Sequence, residues 1–472
     1  MAKITAVSAV LPKKLLQAAE KPLFTNPYHL PPLLLGKKEG KKVSFHLNIQ
    51  SGLSSILRSK KTKTWGINQA FLGVTLKVNK GDQVHVTVKN SLTETTTLHW
   101  HGMKLPAHAD GGPHQPIAPL KEWKTHWNII QPAATLWYHA HTSHKTGQQV
   151  YNGLAGMLLI DDKDSQKLNL PSEYGVDDFP IMLLDRSFNT DGSLEYIKSM
   201  HDRMRGKMGT HILINGVHKP VLKVKKSLIR LRLLNASNAR FYRLQFKDNR
   251  IFNIIASDGG LLEKPIASNS ILLSPGERAE IIVEVFQGSL PTLIYRVQGR
   301  NGLNHDYELL QINTQKVTQS KKTLPSKLVT HKKENEKKAT THRRMQLQMQ
   351  RPAFRGDSIF KINNKAMDMK RIDEVVTAGS LEVWSIENQS SMPHPFHIHN
   401  VQFKIISKSG SEVYGHERGF KDTVLVRPKE TIKVLIRFPK YTDEKYPYMY
   451  HCHILEHEDQ GMMGQFIQIA SK

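Results

Sequence analysis

The chain has 472 residues, of which 39% are hydrophobic, 23% are charged and one is cysteine. This composition belongs to a folded chain with several cores. It excludes a disordered polymer and an intramolecular disulfide scaffold, and no run approaches the roughly 18 apolar residues of a membrane-spanning helix. The net charge of +26 is spread over many segments without an aromatic–basic motif, so it reads as a basic surface with no specific nucleic-acid site.

In chain order, residues 1–39 are expected as an N-terminal extension. Its start, MAKITAVSAVLPKKLLQAAEKPLF, has no twin arginine, long apolar core or clear cleavage site, so no export signal is legible there. A unit then occurs three times, as WGINQAFLGVTLKVNKGDQVHVTVKNSL, LINGVHKPVLKVKKSLIRLRLLNAS and KINNKAMDMKRIDEVVTAGSLEVWSIENQSS. Each copy opens on an apolar–Asn turn and ends in a strand with period-2 alternation and a terminal Asn: Asn90, Asn235 or Asn388. The spacings of 145 and 153 residues between those asparagines suit a β-sandwich each. The expected fold is all-β, with three consecutive cupredoxin-like Greek-key sandwiches at 40–165, 175–315 and 344–472. Residues 316–343 read as a mobile, Lys-rich linker. One helical piece interrupts the pattern. Met200, Met204 and Met208 are spaced to share a helix face, which fits packing better than Cu(I) handling, and Gly206 weakens the helix.

Chemistry concentrates in four histidine-rich segments at the two ends of the chain. They are HWHG at His99 and His101, HAH at His139 and His141, HPFHIHN at His394, His397 and His399, and HCHILEHEDQGMMG from His451. A single His-x-His is weak, but four of them with the only cysteine embedded in one are specific. A thiolate, two imidazoles and a weak thioether make a blue-copper electron-transfer site. Cys452, His457, Met462 and one partner histidine supply that set. In a strand, His451 and His453 point one way and Cys452 the other, so adjacent residues can serve two different metal sites. The four His-x-His pairs leave eight imidazoles, enough for three copper ions with positions open to dioxygen. Three coppers and the blue copper together store the four electrons that dioxygen reduction requires.

These motifs, with LRLLNASNAR and IASDGGLLEKP in the middle, resemble the multicopper oxidase family over residues 40–472, within it the bacterial cuprous-oxidase and laccase-like branch. The resemblance implies four copper ions, dioxygen as acceptor and a small organic or metal-ion reductant. It implies a type 1 copper on His394, Cys452, His457 and Met462, and a type 2 copper on His99 and His397. The type 3 pair would take His101, His139, His141, His399, His451 and His453. His144 lies outside these patterns and is not expected to bind metal. Asp110 and Glu458 fall at family positions implicated in proton supply, which dioxygen reduction needs. Alternatively, Asp110 orders the Asp-Gly-Gly turn and Glu458 orients a ligand.

The family's Met-rich insert is missing from this chain. Met392 matches a substrate-copper residue of the family, whereas Ser390 stands where that site has an aspartate. The absent insert suggests an open type 1 edge and a laccase-like preference for phenols and aromatic amines. Cuprous oxidase and ferroxidase are the alternatives. More remote are a copper-free binding protein of the same lineage, which would lack the cysteine and most of the histidines, and a two-domain copper nitrite reductase. The resemblance implies a periplasmic monomer, with the cytoplasm as alternative because no signal peptide is legible.

Overall fold

The computed structural model describes residues 24–57, 60–298, 304–350 and 358–471. Six β-sheets form three cupredoxin-like sandwiches in series. In the first, a sheet centred on Lys42–Ser54 and Gln83–Asn90 faces one containing Ala155–Asp161, Ala134–His139 and His99–His101. In the second, Asp178–Phe188, Leu228–Asn235 and Arg278–Glu284 lie side by side opposite Thr292–Gln298 and Asn304–Asn313. In the third, Leu381–Asn388 and Thr431–Arg437 face a sheet that places His394–Ile398 beside Asp443–Cys452. Alternation in sequence becomes alternation in burial along Gln83–Asn90, whereas Leu228–Asn235 is covered on both faces. Val84, Val86 and Val88 point into the first core, as Ile229, Leu231 and Leu233 do in the second. Each such side chain contributes about 1.5–3 kcal/mol on burial.

The repeat has a structural basis at both its ends. Asn68, Asn215 and Asn363 all adopt left-handed backbone, with φ of 59°, 50° and 52°, which asparagine tolerates better than branched residues do. Their side-chain oxygens accept from the N–H of Asn48, Met182 and Gln346, at 2.6, 2.9 and 2.8 Å. The terminal asparagines are equally alike. Asn90 Nδ2 donates to the carbonyls of Glu94 and Ile117, Asn235 Nδ2 to Arg240 and Leu273, and Asn388 Nδ2 to Met392 and Val426. Each asparagine thus closes a loop and ties it to a neighbouring strand or loop. In the first and third sandwiches, that loop leads directly into His99 and His394.

Three expectations about local structure are corrected. Residues 1–23 lie outside the described residues, but the rest of the expected extension joins the sheets: Asn26–Pro27 pairs with Pro220 and Val221, and Leu33–Leu34 with Thr75 and Leu76. The Lys-rich segment is not a free linker. Val317, Leu324, Leu328 and Val329 pack on the second core, while the N–H groups of Thr323 and Leu328 donate to the carbonyls of Asn169 and Glu263. Spaced apolar residues within a charged run anchor it, and its end, Thr341–Met349, is a strand parallel to Leu381–Asn388. The methionine helix is only Met200–Arg205, stopped by Gly206 at φ 80°. Met208 therefore falls outside it. Met200 and Met208 are exposed and only Met204 packs on a core.

Candidate metal centre

The strand Asp443–Cys452 divides its last residues between two sites. Phe396 pairs with Cys452 and His397 with His451 in the antiparallel ladder, which puts the two histidine-rich segments of the third sandwich in register. On one side, Cys452 Sγ lies 3.4 Å from His394 Nδ1 and 3.7 Å from His457 Nδ1. The short helix Leu455–Asp459 presents His457, and a reverse turn brings back Met462. The N–H of Met462 donates to the carbonyl of His457, and that of Cys452 to the carbonyl of Met462. All four side chains are buried.

On the other side lie the eight remaining histidines, drawn from the first and third sandwiches. His141 Nε2 and His399 Nε2 each approach His451 Nε2 to 3.2 Å, and His139 Nε2 approaches His101 Nδ1 to 3.4 Å. His99 stacks on His399 and His101 on His397, with ring centroids 3.9 and 3.7 Å apart. His453 sits 5.0 Å from His101 and 5.6 Å from His139, centroid to centroid. The sequence-predicted residues are thus brought together as two groups joined through one strand. His144 is outside both, with Nδ1 on the carbonyl of Asp459.

Burial, followed by the neighbouring imidazoles, holds His101, His141, His397, His399 and His453 well below the ordinary histidine range. Burial also lowers His457 to about 3 and pushes the Cys452 thiol up. Among the described residues, His99 Nε2, His397 Nε2 and both ring nitrogens of His453 have no hydrogen-bond partner. Neutral imidazoles with unpartnered, converging nitrogens are metal ligands in waiting, since such atoms otherwise cost about 1–3 kcal/mol each. The donor set fits transition metals that favour imidazole, with one thiolate-containing pocket.

Both expected carboxylates border the cluster. Asp110 Oδ2 is 2.8 Å from His399 Nδ1, and the Asp110 carbonyl accepts from His99 Nδ1 at 2.9 Å. Burial raises the Asp110 carboxyl to about 6, against His99, His451 and His114. The turn after it requires Gly111, at φ 74°, where a Cβ would lie 1.8 Å from the Leu98 carbonyl oxygen. Glu458 lies between two other histidines, with its oxygens 3.3 Å from His141 Nδ1 and 3.2 Å from His451 Nδ1.

The expected open edge beside His394 and His457 is overturned. Neither histidine has measurable exposure. His457 Nε2 donates to the carbonyl of Met204 at 3.0 Å, and the ring of Phe360 stacks on it at 4.2 Å. The helix Met200–Arg205 of the second sandwich takes the covering position. His394 Nε2 is 2.8 Å from Ser390 Oγ, and the half-buried Met392 closes the same loop. Two residues missed in the sequence border the cluster: Asp422, 3.0 Å from His101 Nε2, and Arg278, which donates to it. Each stands next to an opposite charge in sequence, Lys421 before Asp422 and Glu277 before Arg278, and nothing in either segment marks the distant partner.

Fold and arrangement together define the class of three-sandwich copper proteins. The profile described as multicopper oxidase matches residues 48–165 and again 335–472. The multicopper oxidase mco of Staphylococcus aureus is 39% identical over 428 residues, covering 89% of this chain and 88% of that protein. The cell division protein FtsP of Xenorhabdus nematophila is 36% identical, over 93% and 91% of the two chains. The laccase of Pediococcus acidilactici superposes with a TM-score of 0.85 at 35% identity, covering 94% of each chain. The chain belongs to the multicopper oxidase family, whose members use copper, dioxygen and a reductant. Among the described residues, no helix is long and apolar enough to cross a membrane.

Proposed function

We propose that the protein is a four-copper oxidase that passes electrons from a small reductant to dioxygen, as a laccase-like enzyme on phenols and aromatic amines. The observation that carries the oxidase is the division at His451-Cys452-His453: the thiol faces His394 and His457, while His451 faces His141 and His399. With the edge covered, the laccase-like part rests on the likeness to the Pediococcus laccase. His394, Cys452, His457 and Met462 would hold the type 1 copper and His99 and His397 the type 2 copper. His101, His139, His141, His399, His451 and His453 would hold the type 3 pair. When bound, copper supplies one-electron oxidation at the first site and four-electron reduction of dioxygen to water at the cluster.

The protein's part is connection, proton supply and exclusion of water. The main chain on either side of Cys452 is the shortest covalent path between the two groups. Asp110 Oδ2 and the Glu458 oxygens border the cluster, positioned to hold and release protons at His399 Nδ1 and at His141 and His451 Nδ1. The Met204 carbonyl on His457 keeps bulk water from that ligand, and it makes the cover an element of substrate choice. Met392, two residues from His394, supports Cu(I) or Fe(II) as a second class of reductant.

FtsP-like binding without catalysis is the competing reading, and the complete set of family ligand positions argues against it. We further propose a periplasmic monomer built of units 40–165, 175–315 and 344–472. Oxygen uptake by the copper-loaded protein on a phenol, Cu(I) and Fe(II) tests the function. Turnover with the phenol supports the laccase-like assignment, and no uptake with any of the three refutes the oxidase.

A further inference from the structure

The second sandwich places no histidine in the cluster, yet it brings Arg278 to its edge. Arg278 is fully buried, and each of its five side-chain N–H groups has an acceptor. Nε donates to the Thr135 carbonyl at 3.1 Å. Nη1 donates to the Gly276 carbonyl at 3.0 Å and Asp422 Oδ1 at 2.7 Å, and Nη2 to the Asp258 carbonyl at 3.0 Å and Asp422 Oδ2 at 2.6 Å. These acceptors come from all three sandwiches. A guanidinium whose planar fork is fully used is rigid, and so is the carboxylate clamped in it.

Asp422 Oδ2 also accepts from Gln402 Nε2 at 2.8 Å, and Oδ1 from Thr423 Oγ1 at 3.0 Å. With those donors in place the carboxylate can only accept. The proton in its 3.0 Å contact with His101 therefore sits on His101 Nε2. The Nδ1 lone pair of His101 is then turned to the cluster, where it lies 3.4 Å from His139 Nε2. Six other cluster histidines are oriented the opposite way. Nδ1 of His99, His139, His397 and His451 faces a main-chain carbonyl, and Nδ1 of His141 and His399 faces a carboxylate, which leaves Nε2 inward. The carbonyl of Asp422 is the one that accepts from His397 Nδ1, at 2.9 Å, so one residue orients a histidine from each terminal sandwich. Gly102, directly after His101, admits the pair: at φ 84°, a Cβ there would lie 2.5 Å from Asp422 Oδ2 and 2.7 Å from Arg278 Nη2.

We propose that Arg278 and Asp422 are positioning residues of the metal centre. The middle sandwich, through them, fixes His101 as the Nε2–H tautomer and so selects Nδ1 as its ligand atom. This rests on the copper reading above, but the tautomer belongs equally to the metal-free chain and can be measured there.

The test is a long-range ¹H–¹⁵N correlation spectrum of metal-free protein labelled with ¹⁵N-histidine at neutral pH, with His101 assigned by its loss in His101→Gln. The expected result is His101 protonated on Nε2. The double variant Arg278→Met with Asp422→Leu removes both charges at similar volume, a change that buried ion pairs generally survive. It should lose that tautomer preference and, on reconstitution, bind about one copper fewer per chain while keeping the Cys452 thiolate band. Wild-type His101 protonated on Nδ1 overturns the proposal, even where the double variant does not fold. So does a folded double variant with the wild-type tautomer and full copper content. Wild-type protein that takes up no copper defeats the copper reading alone, because the tautomer result stands apart from it.

Discussion

His457 Nε2 donates to the carbonyl oxygen of Met204 at 3.0 Å, so a helix of the second sandwich covers a metal-facing histidine of the third. If His457 binds the proposed type 1 copper, sequence-distant segments share control of the route by which electrons enter. Gly206 sets how closely the helix sits, since a Cβ there would lie 2.4 Å from the Ala239 Cβ and 2.6 Å from Ile454 Cγ2. Gly206→Val should push the cover outward, raise kcat/KM for a bulky phenol several-fold and lower stability by about 1–3 kcal/mol. Steady-state kinetics on a small and a bulky phenol check this. An unchanged ratio between the two would remove the cover from the substrate route.

Asp110 joins the first sandwich to the third through His399 without contributing a metal-facing nitrogen. Asp110→Asn keeps shape and some hydrogen bonding but removes a group able to hold and release protons. Copper content and the blue band should be retained, while reoxidation of the reduced protein by dioxygen slows by about 10²- to 10⁴-fold. Stopped-flow reoxidation is the measurement, and a wild-type rate would leave Asp110 as a turn residue.

The repeat predicts a graded pair of phenotypes. Asn235 and Asn388 make equivalent loop-closing bonds, but only the Asn388 loop leads into His394. Each change to Ala should cost about 1–3 kcal/mol from unsatisfied carbonyls and lost loop geometry. Only Asn388→Ala should also weaken the blue band. Chemical denaturation and absorption spectra of the two variants, side by side, separate the effects.

Acid stability has a specific contributor between the first two sandwiches. Burial raises the Glu280 carboxyl, but Arg230 and Arg232, followed by bonds from Thr135 and Arg230, outweigh burial and bring it to about 2. A depressed carboxylate stabilises the fold above its unfolded value, near 4.5, and that contribution is lost as pH falls from there toward 2. The amount is on the order of 3 kcal/mol. Glu280→Gln should flatten the pH dependence of stability between those limits and lower stability at neutral pH, because the buried Arg230 loses its carboxylate and Arg232 is left with Asp178 alone. Denaturation midpoints measured from pH 2 to 7 show whether the slope disappears.

Much of the site was legible because its chemistry is written in short motifs. His-x-His in a strand turns both rings to one side, and the cysteine between His451 and His453 had to face the other. The repeat was legible for a similar reason: the left-handed Asn68, Asn215 and Asn363 recur after 147 and 148 residues, and the loop-closing Asn90, Asn235 and Asn388 after 145 and 153. What the sequence concealed lies between segments far apart in the chain. The cover by Met204 comes from a six-residue helix that looked like a loose methionine stripe. Asp422 and Arg278 are 144 residues apart, and each alone resembles a surface charge. The anchoring of 316–343 escaped notice because four apolar residues were outnumbered by lysines.

On the proposed reading, Cys452 binds one copper and its two neighbours help to bind a separate cluster. Copper analysis with an absorption spectrum, on wild-type protein and Cys452→Ser, tests it most directly. About four coppers per chain and an intense thiolate-to-copper band are expected in the wild type. The variant should lose the band, oxidase activity and about one copper while retaining about three. Wild-type protein with about one copper per chain, or a Cys452→Ser variant that stays blue, would contradict it.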